Sequence, residues 1–198
     1  IGIILGTLLA VARIINRKSV LSKIVGRFAD IYLAVMRGTP LMVQLVIIYF
    51  IIFVGVTFIN AEITGIIIAI IGFGLNSAAY VSETIRAGIL SIDKGQMEAG
   101  RALGLSYGQT MKSIILPQSA KNIIPPLGNE AITLVKETSV ALVIGVSEFF
   151  SVIKMLTSST YNTITPYLFA AVVYFVTVAL MTFGLTKLEK RLRKSDAR

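Results

Sequence analysis

The sequence contains no cysteine, no histidine and no tryptophan. Without thiols or imidazoles it has no disulfide, no thiol nucleophile, no zinc site built on those ligands and no imidazole acid–base chemistry. Charge is scarce too: 15% of residues are charged, against about 25% in a soluble domain. What charge there is leans one way, with 19 Lys and Arg against 10 Asp and Glu. Hydrophobic residues make up 55% and mean hydropathy is +0.82. A soluble fold of 198 residues would have too few charges to cover its surface, which largely excludes a soluble enzyme. The composition is that of an integral membrane protein, expected to form one transmembrane domain over residues 1–198.

Uncharged apolar runs of about 17–25 residues mark membrane helices. Ile1–Ala12 is short and starts without Met, and reads as the inner end of a helix cut at its N-terminus. A cleaved signal peptide would need a basic start and a cleavage site. Pro40–Val56, Ile63–Ser82, Pro126–Ser147 and Pro166–Leu185 supply four more spans, with Pro126 and Pro166 suited to first helical positions. In Val20–Arg37, the residues Leu21, Ile24, Val25, Phe28, Tyr32 and Val35 recur at helical spacing, opposite Lys23, Arg27, Asp30 and Arg37. That amphipathic pattern reads as the entry to the second span, kinked or broken at Gly38–Pro40, with a helix lying in the interface as the alternative.

The expectation is therefore an all-α polytopic fold with about five spans. Charge placement supports the number. Sixteen of the 19 Lys and Arg lie in Arg13–Arg27, Arg86–Lys121 and Lys187–Arg198, which five spans put on one side. The positive-inside rule makes that side cytoplasmic and puts the N-terminus outside. A basic tail also suits nucleic acid, but a cytoplasmic flank facing anionic lipid is the commoner reason, and no nucleic-acid partner is expected.

Between the third and fourth spans, Arg86–Pro125 is long for a helix connection. Asp93-Lys94-Gly95-Gln96 reads as a variant capping box opening a helix Lys94–Leu103 that ends at Gly104. Ser106-Tyr107-Gly108-Gln109 repeats the box and opens a second short helix toward Leu116-Pro117. Two short capped helices make a rigid knob, suited to docking a protein or to resting on the membrane.

Glu98-Ala99-Gly100, then Gly104, then Ile114-Ile115-Leu116-Pro117 is similar to the E-A-A, x3, G, x9, I-x-L-P signature of ABC importer permeases, with Gly100 in place of the second alanine. Arg37-Gly38-Thr39-Pro40-Leu41 with Gln44, Asn76-Ser77-Ala78-Ala79-Tyr80 with Glu83 and Arg86, and Lys136-Glu137-Thr138-Ser139 resemble the polar amino acid subfamily, of arginine, histidine and glutamine type. The resemblance covers most of the chain from Arg37 onward. It implies that Glu98, Ala99, Gly100, Arg101, Ala102, Leu103 and Gly104 form a coupling helix seated on an ATPase subunit. It further implies two ATP-binding cassette subunits, a second permease subunit (a copy or close relative), an extracytoplasmic amino-acid-binding protein and a bacterial inner-membrane location. The pattern G-x-x-x-x-G-K-[ST] is absent. The chain is thus read as non-catalytic and without its own cofactor, ATP and Mg being bound by the partner.

Ionisable groups at membrane depth are expensive, so they usually face protein or a water-filled path. Asn76 and Ser77 fall near the middle of the third span, and Lys136 and Glu137 lie about ten residues, roughly 15 Å, into the fourth. Glu130, Leu134, Glu137, Ala141, Gly145 and Glu148 follow i+3/i+4 spacing and would form one stripe lining a translocation path. Glu137 or Glu148 can accept an ammonium or cationic side chain, while Lys136, Asn76, Ser77, Thr138 and Ser139 can hold a carboxylate. The surplus of carboxylates leans toward a cationic amino acid. The structural alternative pairs Lys136 or Glu137 with Arg37 or a second subunit, and makes Glu83 and Arg86 a helix-surface ion pair. No metal site is expected. A secondary transporter would use the same carboxylates for ions but calls for a repeat that the halves do not show; an intramembrane enzyme would need a nucleophile–base motif, which is lacking.

Overall fold

The computed structural model describes residues 1–14 and 19–194, and all regular structure among them is helical. Arg17, Lys18 and Arg198, counted above with the basic flanks, lie outside the described residues. Two helices are individually long and apolar enough to cross a bilayer: α4 (Ala61–Leu90) and α9 (Ile164–Lys194). They contain the expected spans Ile63–Ser82 and Pro166–Leu185. Helix α1 (Gly2–Ile14) lies along α4. The approach is close: a Cβ on Gly6 would come within 2.6 Å of Val81 and 2.8 Å of the Ala78 carbonyl oxygen. Small residues here do what they do between membrane helices generally, letting backbones meet. Helix α4 also packs on α7 (Leu116–Glu137), and α7 on α9.

Four expectations need correcting. Pro40–Val56 is not one continuous helix, although the break expected at Gly38–Pro40 is present. Helix α2 (Val20–Gly38) ends where Thr39, held extended by the following Pro40, turns the chain through 108°. Helix α3 (Leu41–Ile47) and a π turn (Ile48–Ile52) follow. Twelve residues rise only about 18 Å, short of the roughly 30 Å hydrocarbon core. Within α2 the burial is also reversed: Gly26, Ala29 and Leu33 face the protein, while Leu21, Ile24, Phe28 and Val35 point outward.

The second correction concerns Pro126, which does not start a helix. Helix α6 (Tyr107–Thr110) passes through a π turn (Met111–Ile115) into α7, which continues past Pro117, Pro125 and Pro126. The connection expected at Arg86–Pro125 shrinks accordingly, because α4 extends to Leu90 and α7 starts at Leu116.

Third, the stripe from Glu130 to Glu148 is broken. After Glu137 the helix tightens into a 3-10 stretch (Thr138–Ile144) and stops at Gly145, which is left-handed at φ 79°, a conformation glycine adopts without strain. Fourth, the connection left between the expected spans Pro126–Ser147 and Pro166–Leu185 contains helix α8 (Phe149–Thr160), inclined 56° to the helix before it. The core on this side joins Leu45 and Ile48 to Ile68, Ala69, Ala141, Ile144 and Val146. The 3-10 stretch is thereby sealed against α3 and α4.

Candidate functional site

The knob is built by its small residues. Asp93 caps helix α5 (Lys94–Ala102), its Oδ1 accepting from the Gly95 N–H at 2.7 Å. The reciprocal bond expected from Gln96 is not made; its Oε1 accepts from Gln118 on α7 at 3.2 Å. Gly104, at φ 83°, closes the helix as expected. The second box is complete: Ser106 N–H donates to Gln109 Oε1 at 2.8 Å, and Gln109 N–H to Ser106 Oγ at 3.3 Å.

Gly100 is buried against Thr110, and a Cβ there would lie 2.9 Å from Thr110 Oγ1 and 3.3 Å from Ile114 Cδ1. Only a glycine lets α5 lie this close to the π turn. Glu98, Ala99, Arg101, Ala102, Leu103 and Gly104 are all exposed, Leu103 at 81%. At the base of the knob Asn122 Nδ2 donates to Ser91 Oγ at 2.8 Å, and Ser91 Oγ donates to the Gly88 carbonyl at 2.8 Å. That clasp ties the end of α4 to α7.

The other candidate residues do not form one cluster. Asn76, buried at 5% exposure, turns toward the break between α2 and α3. Its Nδ2 donates to Gln44 Oε1 at 3.0 Å and to the Met36 carbonyl at 3.2 Å. Gln44 in turn donates to the Met36 and Thr39 carbonyls at 2.9 and 3.0 Å. These amides satisfy carbonyls that the end of α2 leaves without helical donors.

Ser77 faces the other way. It lines a groove of about 570 Å³ between α1 and α4. An adjoining groove of about 460 Å³ between α4 and α7 is lined by Thr138 and Glu148 and shares Ile70, Phe73 and Leu134 with the first. Glu148 enters it from an unexpected role, as the N-cap of α8: its carboxylate accepts from the Phe150 and Ser151 N–H groups at 2.7 and 2.6 Å. Thr138 and Ser139 spend their hydroxyl protons on the carbonyls of Val135 and Lys136, at 2.8 and 3.0 Å. Lys136 is exposed and Glu137 half-buried at the end of α7.

A charged network links α1, α2 and α4. Arg13 donates through Nη1 to Glu83 Oε2 at 2.7 Å and through Nε to Asp30 Oδ1 at 2.9 Å. The expected Glu83–Arg86 pair is present at 3.5 Å, but Arg13 holds Glu83 more closely, and Arg37 stands 3.7 Å from it. Among the described residues Arg37 therefore faces Glu83 rather than Lys136 or Glu137.

Residues 2–194 match the family described as binding-protein-dependent transport system inner membrane component. The chain belongs to that family. It is an ABC transporter permease of the inner membrane. It is 42% identical to the arginine transport system permease protein ArtQ of Bacillus subtilis, over 99% of this chain and 86% of that one. It is also 42% identical to a putative glutamine transport system permease protein, GlnP, of Rickettsia bellii, over 96% of this chain and 84% of the other. The fold matches the crystal structure of an amino acid ABC transporter with histidines, at a TM-score of 0.82 and 37% identity, covering 96% of this chain and 85% of that one. A methionine ABC transporter, MetNI in inward-facing form, shares the fold alone at a TM-score of 0.74 and 22% identity.

Sequence reasoning about this permease missed Arg13 and Tyr174. Arg13 reads as one flanking charge among several, and only the fold carries it to Glu83. The Tyr174 hydroxyl is buried beside Thr138, Ser139 and Glu148, without a hydrogen bond among the described residues; in sequence it is one aromatic in a long apolar run.

Proposed function

We propose that this permease subunit moves a polar, cationic amino acid into the cytoplasm as the membrane part of an ATP-driven importer. The observation that carries the reading is the knob. Its exposed residues, Glu98 to Gly104 without the buried Gly100, are braced through Gly100 on Thr110 and Ile114 and through Gln96 on Gln118 of α7, and α7 runs on to Leu134 and the 3-10 residue Thr138 on the wall of the grooves. A push on α5 is thereby delivered to the elements that would line the path.

In this reading two ATPase subunits, which bind the ATP and Mg, seat the coupling segments of a pair of permease subunits. Closure of the ATPase pair rocks the helices rigidly and exposes the path first to an extracytoplasmic binding protein, then to the cytoplasm. Knob and C-terminus face the cytoplasm. Ser77, Lys136, Glu137, Thr138, Ser139 and Glu148 contact solute, the carboxylates favouring a cationic side chain, while Asn76 acts by fixing the α2–α3 corner. The name of the arginine relative and the carboxylates Glu137 and Glu148 support the cationic substrate.

The test is uptake of radiolabelled amino acids into liposomes holding this chain with its genomically adjacent ATPase and binding protein. ATP-dependent uptake, with arginine preferred, is expected. Glu98→Lys reverses one charge on the exposed face and is expected to cut uptake at least about tenfold, the scale of losing an interfacial charge contact. Uptake driven by a proton or sodium gradient without the ATPase would overturn the reading in favour of a secondary transporter.

A further inference from the structure

A cleft of about 620 Å³ opens between the cytoplasmic half of α4, the end of α2 and α7, and includes none of the residues assigned above to solute. Its walls carry Arg37, Tyr80, Glu83, Thr84, Ser91 and Asn122. The volume lies within the 300–1,000 Å³ usual for small-molecule sites.

On the wall itself Arg37 and Glu83 balance, and Arg13 and Arg86, which neutralise Glu83 from outside the cleft, tip the surroundings toward an anion. Three guanidiniums, Arg13, Arg37 and Arg86, surround Glu83, and Asp30 is shared with Arg13. Arg13 is held in two short bonds at 14% side-chain exposure. Arg37 is not held in this way. Its Nη1 stands 3.7 Å from Glu83, beyond hydrogen-bond reach, and its guanidinium rests over the Tyr80 ring at 5.8 Å. At 44% exposure its planar fork is placed by the ring and left open for a carboxylate, the geometry in which arginine binds best. The hydroxyl of Thr84 lies on the same wall.

The cleft also touches the base of the knob. Ser91 and Asn122, whose hydrogen bond joins the two ends of the coupling segment, form one end of it. A solute here would lie against the clasp.

We propose that this cleft is a release-side station for the translocated amino acid, with Arg37 binding the α-carboxylate and the clasp sensing occupancy. This rests on the importer reading and adds to it a second, cytoplasm-facing stop. A cargo amino acid has the carboxylate the fork requires and a size the cleft admits. A lipid phosphate has the same oxyanion chemistry and is the source to be separated from it.

The experiment uses the assembled complex with its ATPase in nanodiscs of neutral lipid, without the binding protein. Equilibrium binding of radiolabelled L-arginine and L-glutamine is measured, with the matching amino alcohols, which lack the carboxylate, as competitors. Binding of at least one amino acid is expected, with its amino alcohol failing to compete. Arg37→Gln is expected to weaken it about ten- to hundredfold, the range for a lost hydrogen bond to a charged partner, and Arg37→Lys to recover part of the loss. Thr84→Val, which removes only a hydroxyl from the wall, guards against misfolding of the Arg37 variants and is expected to weaken binding less. Saturation is also expected to change the ATPase rate in the wild type and less so in Asn122→Ala.

Unchanged binding in Arg37→Gln, or equal competition by the amino alcohol, would overturn the station while leaving ATP-driven uptake intact. Loss of binding when anionic lipid is added would assign the fork to a lipid phosphate and overturn the proposal as well. Absence of ATP-driven uptake by the wild type would instead defeat the importer reading itself.

Discussion

Gly100 shows how a single missing methyl group shapes the exposed knob. It lies under Thr110, itself fully buried, and any Cβ would force Thr110 or Ile114 aside. Overpacking of this kind costs about 1–3 kcal/mol. Gly100→Val is therefore expected to lift α5 from the π turn, to raise the rate of proteolytic cleavage in the knob and to weaken ATPase association. Gly108→Ala, where a Cβ meets nothing within 4 Å, is the control and is expected to leave both unchanged. The small residue at this position was legible in the sequence; Thr110 as its reason was not, because the contact spans a turn whose π geometry has no signature. Asn76 taught the reverse. Its place near the middle of an apolar helix was legible, but its partners Gln44 and Met36 become neighbours only when α2 and α3 meet at their corner.

Helix α7 carries the largest gap between pattern and fold. Pro125 and Pro126 have no N–H to donate to the carbonyls of Lys121 and Asn122, so each should favour a helix start over an interior. Packing on α4 and α9 keeps the helix running through them; Gly128, for one, is in direct contact with Leu185. Local punctuation lost to tertiary contact. At the far end the opposite happened: Gly145 is a helix stop, and taking it as a small residue on a stripe hid the start of α8 at Glu148. The prolines leave α7 weak between the knob and the grooves. Replacing both by alanine is expected to raise the thermal midpoint of the complex and slow ATP-driven uptake several-fold, with ATPase association unchanged. Differential scanning fluorimetry and uptake measured on the same preparation check this.

Across the molecule the burial is lopsided. Helix α4 is half buried within its apolar window, α9 only 6%. Residues such as Phe175, Leu180 and Phe183 on α9 face outward, as do Ile3, Ile4 and Leu8 on α1. This is the surface of a lipid-facing chain, and composition alone announced it. The number of crossings was less legible, because two of the expected spans are bent pairs whose halves are individually too short or too polar. Orientation can be tested cleanly, since the chain has no cysteine to remove. Asp93→Cys is expected to react with a membrane-impermeant maleimide only from the cytoplasmic side, and Thr57→Cys only from outside. Labelling of both from one side would overturn the topology.

The clasp between Ser91 and Asn122 bears on what can be grafted onto this membrane domain. The thirty residues it encloses leave the membrane domain and return to the same point, so their internal shape does not alter the spacing of the helices that hold them. Such a segment behaves as a plug on a fixed socket. A segment of the same footprint grafted between Ser91 and Asn122 is expected to leave the packing of α4 on α7 unchanged.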